Sequence, residues 1–139
     1  MSKFEENKKI AGRWIELISE HKIEEICEMV SPEWKMYGGP PNLPPGAEGV
    51  WELFRAIGEV EQTWTIEDII AEDDKVVVRA TNTCVQESFF GLPGRGIVQK
   101  FSAMFILKIA GGKIIETWRN ADDLGRIFQL GGCVEAQVS

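Results

Sequence analysis

Apolar positions recur at helical spacing in the first part of the chain. An amphipathic helix is predicted over residues 3–20, because one of its faces collects apolar side chains at i, i+4, i+7 and i+8. These side chains are Ile10, Trp14, Leu17 and Ile18. Two shorter helices are predicted at about residues 22–30 and 46–58. Between them, alternation over residues 33–38 predicts a strand.

From residue 60 onward, strand patterns replace helical ones. Strands are predicted at about residues 60–71, 75–88, 97–109 and 113–121, with a loop at 89–96. Short turns between neighbours predict antiparallel hairpins. Helices followed by long antiparallel strands indicate an α+β domain, in which the helices pack on one face of a curved sheet and leave a cavity between the layers. We expect a single domain over residues 1–139.

Composition narrows the classes of partner. The chain has 139 residues and a formal net charge of −7, which disfavours nucleic acid and anionic membranes as partners. No apolar run approaches the roughly 20 residues that span a bilayer, and the charged first residues lack a signal-peptide core. The cysteines Cys27, Cys84 and Cys133 are far apart and form no CxxC motif. A reduced, cytoplasmic protein is therefore expected.

The C-terminal quarter carries the most specific motif. Gly112-Lys113-Ile114 is followed by Glu116-Thr117-Trp118, then by Asp122-Asp123-Leu124-Gly125 and Gln129-Leu130-Gly131. This order resembles the end of the SnoaL-like polyketide cyclase family. The resemblance implies a nuclear-transport-factor-2-like (NTF2-like) cone, the fold of ketosteroid isomerase, with three N-terminal helices inside a curved sheet and a short C-terminal helix.

The resemblance also implies a proton-transfer residue. In the cyclases of this family, the Asp four residues after the Trp transfers protons, and that position here is Asp122. Under period-two alternation Trp118 and Asn120 share its face, so all three are expected to face the cavity if that face points inward. The alternative is that Asp122 or Asp123 caps the helix that starts near Leu124.

Further residues are candidates for substrate binding. Arg79 follows an apolar run in a strand, where it could bind an anionic group or form a salt bridge on the sheet surface. Tyr37 could donate to a developing oxyanion or lie on the surface of an edge strand. A large aromatic inventory predicts a flat, hydrophobic cavity. Its expected lining includes Trp14, Trp51, Phe54, Trp64 and Phe101.

These features together predict a cofactor-independent enzyme with no metal. It would cyclise or isomerise a hydrophobic carbonyl compound in a closed apolar pocket, with Asp122 as acid and base. The Asp-Arg-Asp arrangement of epoxide-hydrolase relatives is missing, because Thr81 stands two residues after Arg79. Two alternatives remain open: a binding protein without turnover, and an interaction module that dimerises through the outer sheet face. A homodimer is expected in each case.

Overall fold

The structure, a computed structural model, describes residues 2–137 and contains four helices and seven strands over that range. The helices are α1 (Lys3–Ser19), α2 (Ile23–Met29), α3 (Gly46–Ile57) and α4 (Asp123–Gln129). The long strands are β1 (Val30–Tyr37), β2 (Val60–Glu72), β3 (Lys75–Gln86), β6 (Gln99–Ala110) and β7 (Lys113–Ala121). The predicted loop at 89–96 differs from expectation, since it contributes a small hairpin of β4 (Ser88–Phe89) and β5 (Leu92–Pro93).

Helix α1 has a defined start and end. The Ser2 side chain accepts a hydrogen bond from the Glu5 main-chain N–H at 3.1 Å, which satisfies a donor that the first turn leaves free. His21 ends the helix with a left-handed φ of 56°. Among residues 2–137, no helix has the length and apolar character needed to cross a membrane.

The five long strands form one mixed sheet in the order β1-β7-β6-β3-β2. The β1–β7 pair is parallel and the other pairs are antiparallel. Burial alternates along β3 and β6, because one face of the sheet packs on the helices. Trp14, Trp34 and Phe105 belong to the core between the two layers. The predicted α+β architecture and the order of its main elements are confirmed.

Strand β7 contains a β-bulge. Glu116 pairs with Lys108 but Ile114 pairs with Ile109, so Ile115 is an extra residue on β7. A one-residue insertion moves every following side chain to the opposite face of a strand. Beyond the bulge, Thr117 is buried while Trp118 is exposed. This reversal determines which C-terminal residues reach the interior.

Candidate functional site

A cavity of about 530 Å³ lies between the sheet and helices α1 and α3. Its wall is mainly aromatic and aliphatic, with a smaller number of polar side chains. The wall also includes the loop at Gly38–Pro41 and Phe90, which is 75% exposed. The cavity is therefore partly open to solvent, where the sequence predicted closure.

Four of the predicted aromatic residues line this cavity: Trp14, Phe54, Trp64 and Phe101. Trp14 and Trp64 both pack edge-on against Phe105, with ring centroids 5.6 and 5.3 Å apart. Trp64 also meets Phe101 edge-on at 5.6 Å. Such edge-to-face contacts hold rings in fixed orientations. Whether these residues bind a substrate stays a prediction.

The expected inward face of Trp118, Asn120 and Asp122 is wrong. The bulge in β7 reverses the alternation, so Trp118 and Asn120 are exposed and lie outside the cavity wall. Asp122 is exposed as well and is the N-cap of α4. Its Oδ1 accepts a hydrogen bond from the Gly125 N–H at 2.9 Å. The structure thus gives Asp122 the capping position that was the alternative reading of the sequence.

Three other predicted residues also lie away from the cavity wall. Arg79 donates from Nε to Asp68 Oδ2 at 2.7 Å, and both side chains are about half exposed. Tyr37 stacks on Trp118 on the outer face of the sheet, with centroids 4.2 Å apart. Trp51 lies on α3 and is 44% exposed. Arg79 and Tyr37 thus occupy the surface positions that the sequence left open as alternatives to a role in the pocket.

Among the carboxylates that line the cavity, Glu59 and Glu87 are exposed, whereas Asp123 is partly buried. Arg119, the residue after Trp118, binds both of its oxygens, with Nη2 to Oδ1 at 2.8 Å and Nη1 to Oδ2 at 2.9 Å. Arg119 Nη1 also donates to the carbonyl oxygen of Gly38 at 3.1 Å. A bidentate pair fixes the carboxylate in the plane of the guanidinium. The bulge places Arg119 on the inner side, and the start of α4 brings Asp123 to it.

Arg126, one turn further along α4, is the second cation of the cavity wall and is 6% exposed. Its guanidinium lies between two rings, 3.6 Å from the centroid of Phe89 and 4.4 Å from that of Phe101. Nε donates to Gln99 at 3.1 Å, and Nη2 donates to Gln86. These contacts are cation–π interactions and neutral amide hydrogen bonds.

Burial lowers the pKa of the Arg126 guanidinium, because desolvation disfavours the charged form. Its nearest carboxylate is Asp123, with 3.7 Å between Nη1 and Oδ1. Asp123 is already bound by Arg119, so two guanidiniums share one carboxylate. Glu59 and Glu87 also line the cavity, but both are exposed. Around Asp123 two guanidiniums face one carboxylate, so an anionic oxygen is the complementary ligand group there.

Sequence reasoning missed Asp123, Arg119 and Arg126 as lining residues. The position of Arg119 depends on a bulge, which pairing partners create and local alternation does not reveal. One signal was available in β3, where Asn82, Cys84 and Gln86 continue the inward alternation of the valines before them. Polar residues at buried strand positions indicate a lined cavity, because a plain core rarely holds them.

The described residues 2–137 contain no group of three or more His, Cys, Asp or Glu side chains arranged to hold a metal ion. His21, the single histidine, is partly buried and packs edge-on against Phe54 at 5.5 Å. Cys84 lines the cavity, and burial raises the pKa of its thiol. The charged side chains of the wall that are buried or partly buried are Asp123, Arg119 and Arg126.

The sequence profile of the SnoaL-like polyketide cyclases matches residues 8–130. The chain belongs to the SnoaL-like polyketide cyclase family. The match includes β7, α4 and most of the cavity wall. The family assignment made from the C-terminal motif is confirmed. A search of curated proteins found no match to this chain.

Solved structures support the fold of this SnoaL-like protein. TsrD from Streptomyces laurentii superimposes with a TM-score of 0.82 at 23% identity, covering 96% of this chain and 99% of TsrD. A candidate polyketide cyclase from Bacillus cereus is 29% identical, with a TM-score of 0.72 over 91% of this chain and 80% of its own. An epoxide hydrolase from M. tuberculosis reaches 0.74 at 14% identity, over 93% and 92% of the two chains. The NTF2-like fold is therefore shared with structures described as a candidate polyketide cyclase and as an epoxide hydrolase.

Proposed function

We propose that this protein is a cofactor-independent acid/base enzyme that acts on a hydrophobic carbonyl compound by aldol-type cyclisation or isomerisation. The observation that carries the proposal is a carboxylate between two guanidiniums in an aromatic cavity. Asp123 supplies the proton-transfer group and Arg126 supplies charge stabilisation. This replaces the assignment of Asp122, whose carboxylate caps α4 outside the cavity wall.

The proposed first step is removal of a proton α to a carbonyl by the Asp123 carboxylate. A carboxylate offers about four lone-pair positions, of which Arg119 uses one on each oxygen. The electron pair of the broken C–H bond moves into an enolate, whose oxygen carries the negative charge. Arg126 Nη1 stabilises that oxygen, as preorganised cations do where charge develops.

The second step differs between the two reaction types. In a cyclase, the enolate carbon attacks a second carbonyl of the same molecule, and the resulting alkoxide takes the proton back from Asp123. In an isomerase, the proton returns from Asp123 to a different carbon. Both routes conserve protons and electrons and leave Asp123 ionised.

Exchange of deuterium into a carbon acid tests the first step without knowledge of the natural substrate. The probe is β-tetralone, a bicyclic ketone with acidic α-protons, followed by ¹H NMR in deuterated buffer. We expect wild-type protein to accelerate exchange and Asp123→Asn to lose at least about 100-fold of that acceleration, the usual contribution of a general base. Asp122→Asn is the matched control and keeps the wild-type rate.

A binding protein without turnover is the second candidate, and one observation favours it. Arg119 engages both oxygens of Asp123, so each oxygen already holds a hydrogen-bond donor from the protein. If wild-type protein binds β-tetralone but leaves its exchange rate unchanged, the binding function replaces the catalytic one. Equal exchange rates for wild type and Asp123→Asn would remove Asp123 from the mechanism.

We further propose that two copies associate through the outer face of the sheet. An apolar row crosses all five long strands there, since each member is paired in register with the next. Its members are Tyr37, Trp118, Ile106, Val77 and Ile70. Four of the five are exposed and Val77 is partly buried. A continuous row of accessible apolar side chains is typical of a protein interface, and a second copy of the same face would complete a two-fold symmetric contact.

A further inference from the structure

Three buried polar atoms in the cavity wall have no hydrogen-bond partner among residues 2–137. They are the indole Nε1 atoms of Trp14 and Trp64 and the amide Oδ1 of Asn82. Trp14 and Asn82 are each 1% exposed. Leaving a buried donor or acceptor unpaired costs free energy, so such atoms in a native protein call for a partner. Because these atoms lie in a cavity wall, an ordered water or a polar group of a bound ligand can supply that partner.

The three residues that carry these atoms are neighbours, because two of them pack on the same ring and the third is paired with one of those two. Trp64 and Asn82 are directly opposed in the β2–β3 register, so their Cβ atoms lie about 4.5–5.5 Å apart. Trp14 reaches the same region from α1, since both indoles pack on Phe105. The three residues therefore lie close together, and we call this group the indole–amide subsite. It lies on the helix-facing side of the sheet, on elements other than α4, which carries Asp123 and Arg126.

The hydrogen-bonding character of Asn82 follows from a chain of contacts. Gln62 Nε2 lies 3.5 Å from the Ile18 carbonyl oxygen, which can only accept, so that end of Gln62 is the amide nitrogen. The other end, Oε1, accepts from Asn82 Nδ2 at 3.1 Å. The remaining atom of Asn82 is thus the acceptor Oδ1. The subsite presents two donors, from the indoles, and one acceptor.

We propose that the indole–amide subsite recognises a hydroxyl group on the ligand. A hydroxyl has one O–H donor and two acceptor lone pairs, which match the acceptor of Asn82 and the two indole donors. A carbonyl or ether oxygen would leave Asn82 unpaired, and an ammonium group would leave both indoles unpaired. The proposal rests on the proposed function only in requiring that the cavity binds a small molecule. It does not require turnover.

The proposal adds a second polar anchor to the cavity wall, apart from Arg126 and Asp123. The hydroxyl would be held at the indole–amide subsite, while the reacting carbonyl lies near Arg126 and Asp123. Two polar anchors on different elements fix both the position and the direction of a flat ligand in an otherwise apolar cavity. Unpaired polar groups also discriminate strongly against analogues that lack the matching hydroxyl.

The test compares 2-naphthol with 2-methoxynaphthalene, which keeps the oxygen acceptor and loses the donor. Affinities come from NMR titration of the five tryptophan indole N–H signals, assigned with single Trp→Phe variants. We expect 2-naphthol to bind roughly tenfold more tightly, the effect of leaving one buried acceptor unpaired. The signals of Trp14 and Trp64 should move on binding.

Two variants separate the subsite from general packing. Asn82→Leu should remove the preference for 2-naphthol, and Trp64→Phe should weaken naphthol binding while keeping an aromatic ring in place. Trp34→Phe is the matched control. Trp34 is 1% exposed, as Trp14 is, but its Nε1 already donates to Thr117 at 3.0 Å and it lies outside the cavity wall. Its replacement should leave the affinity unchanged.

The outcomes distinguish this proposal from the proposed function. Equal affinities for the two probes, with Trp14 and Trp64 signals still moving, would overturn the hydroxyl subsite and leave a ligand-binding cavity. A preference that survives Asn82→Leu and Trp64→Phe would overturn it too. If neither probe moves any indole signal, both the subsite and the hydrophobic ligand cavity are wrong.

Discussion

Replacing Asp122 by Ala should reduce stability and leave proton-transfer activity unchanged. In the structure Asp122 is exposed, and its carboxylate accepts a hydrogen bond from Gly125 N–H at 2.9 Å at the start of α4. The carboxylate also lies at the positive end of the helix dipole. Because Asp123, not Asp122, lines the cavity, the two adjacent acidic residues should separate stability from chemistry.

The expected magnitude follows from the cap alone. Removing an N-cap side chain costs about 1 kcal/mol of unfolding free energy. For a domain of this size, that corresponds to a fall in Tm of roughly 3–5 °C. Asp122 is exposed, so its removal leaves no buried cavity and adds no further packing loss.

Gly125 provides an independent check on the same cap. A Cβ on Gly125 would lie 2.3 Å from Asp122 Oδ2, so Gly125→Ala should displace the capping carboxylate. Replacing Gly by Ala within a helix otherwise gains up to about 1 kcal/mol. Gly125→Ala should therefore stabilise the Asp122→Ala protein by close to that amount and the wild type by much less. The resulting double-mutant cycle should give a coupling of about 1 kcal/mol.

Urea denaturation followed by circular dichroism measures these free energies, and deuterium exchange into β-tetralone measures the activity of the same samples. The reasoning is refuted if Asp122→Ala keeps full stability and loses exchange activity. That result would return the proton-transfer role to Asp122. Independent, additive effects of Asp122→Ala and Gly125→Ala would contradict the cap geometry.

Three further predictions concern other parts of the molecule. Cys133 is exposed, whereas Cys84 is buried and its thiol has a raised pKa. Iodoacetamide at pH 8 should therefore alkylate Cys133 first and Cys84 only on unfolding. Peptide mass spectrometry measures both rates, and equal rates would contradict the burial of Cys84. Gly38 and Gly91 both have a positive φ, but of the two only Gly38 faces a main-chain oxygen, that of Arg119, which would lie 1.9 Å from an added Cβ. Gly38→Ala should therefore destabilise the protein more than Gly91→Ala does in thermal melts. The difference should be about 1–3 kcal/mol. Ile106→Lys should shift sedimentation from dimer toward monomer, and a wild-type monomer at high concentration would refute the proposed interface.

The main elements could be predicted from the sequence because their signals are local. Alternation along β3 and β6 and helical spacing in α1 depend only on neighbouring positions. The C-terminal motif identified the family from one contiguous stretch. In the cavity wall, Trp14, Phe54, Trp64 and Phe101 were expected on apolar character and lie there.

The orientation of the charged residues could not be predicted in the same way. Trp118 and Asp122 were placed inward by counting in twos along β7, but the extra residue at Ile115 reverses the count. That bulge arises from pairing with β6, which the β7 sequence does not encode alone. Arg126 illustrates a second limit, since a charged residue in a short helix is expected at the surface. Its burial depends on Phe89 and Phe101, which come from distant parts of the chain.

The bulge at Ile115 also bears on how β7 tolerates changes in length. Ile114 pairs with Ile109 and Glu116 pairs with Lys108 on either side of the extra residue, so deleting Ile115 would join two stretches that are already in register. The residues that follow would keep their partners on β6, with Thr117 and Arg119 still on the inner face and Trp118 still on the outer one. Relatives could therefore gain or lose a residue at this position without changing the chemical groups that the strand presents to a ligand.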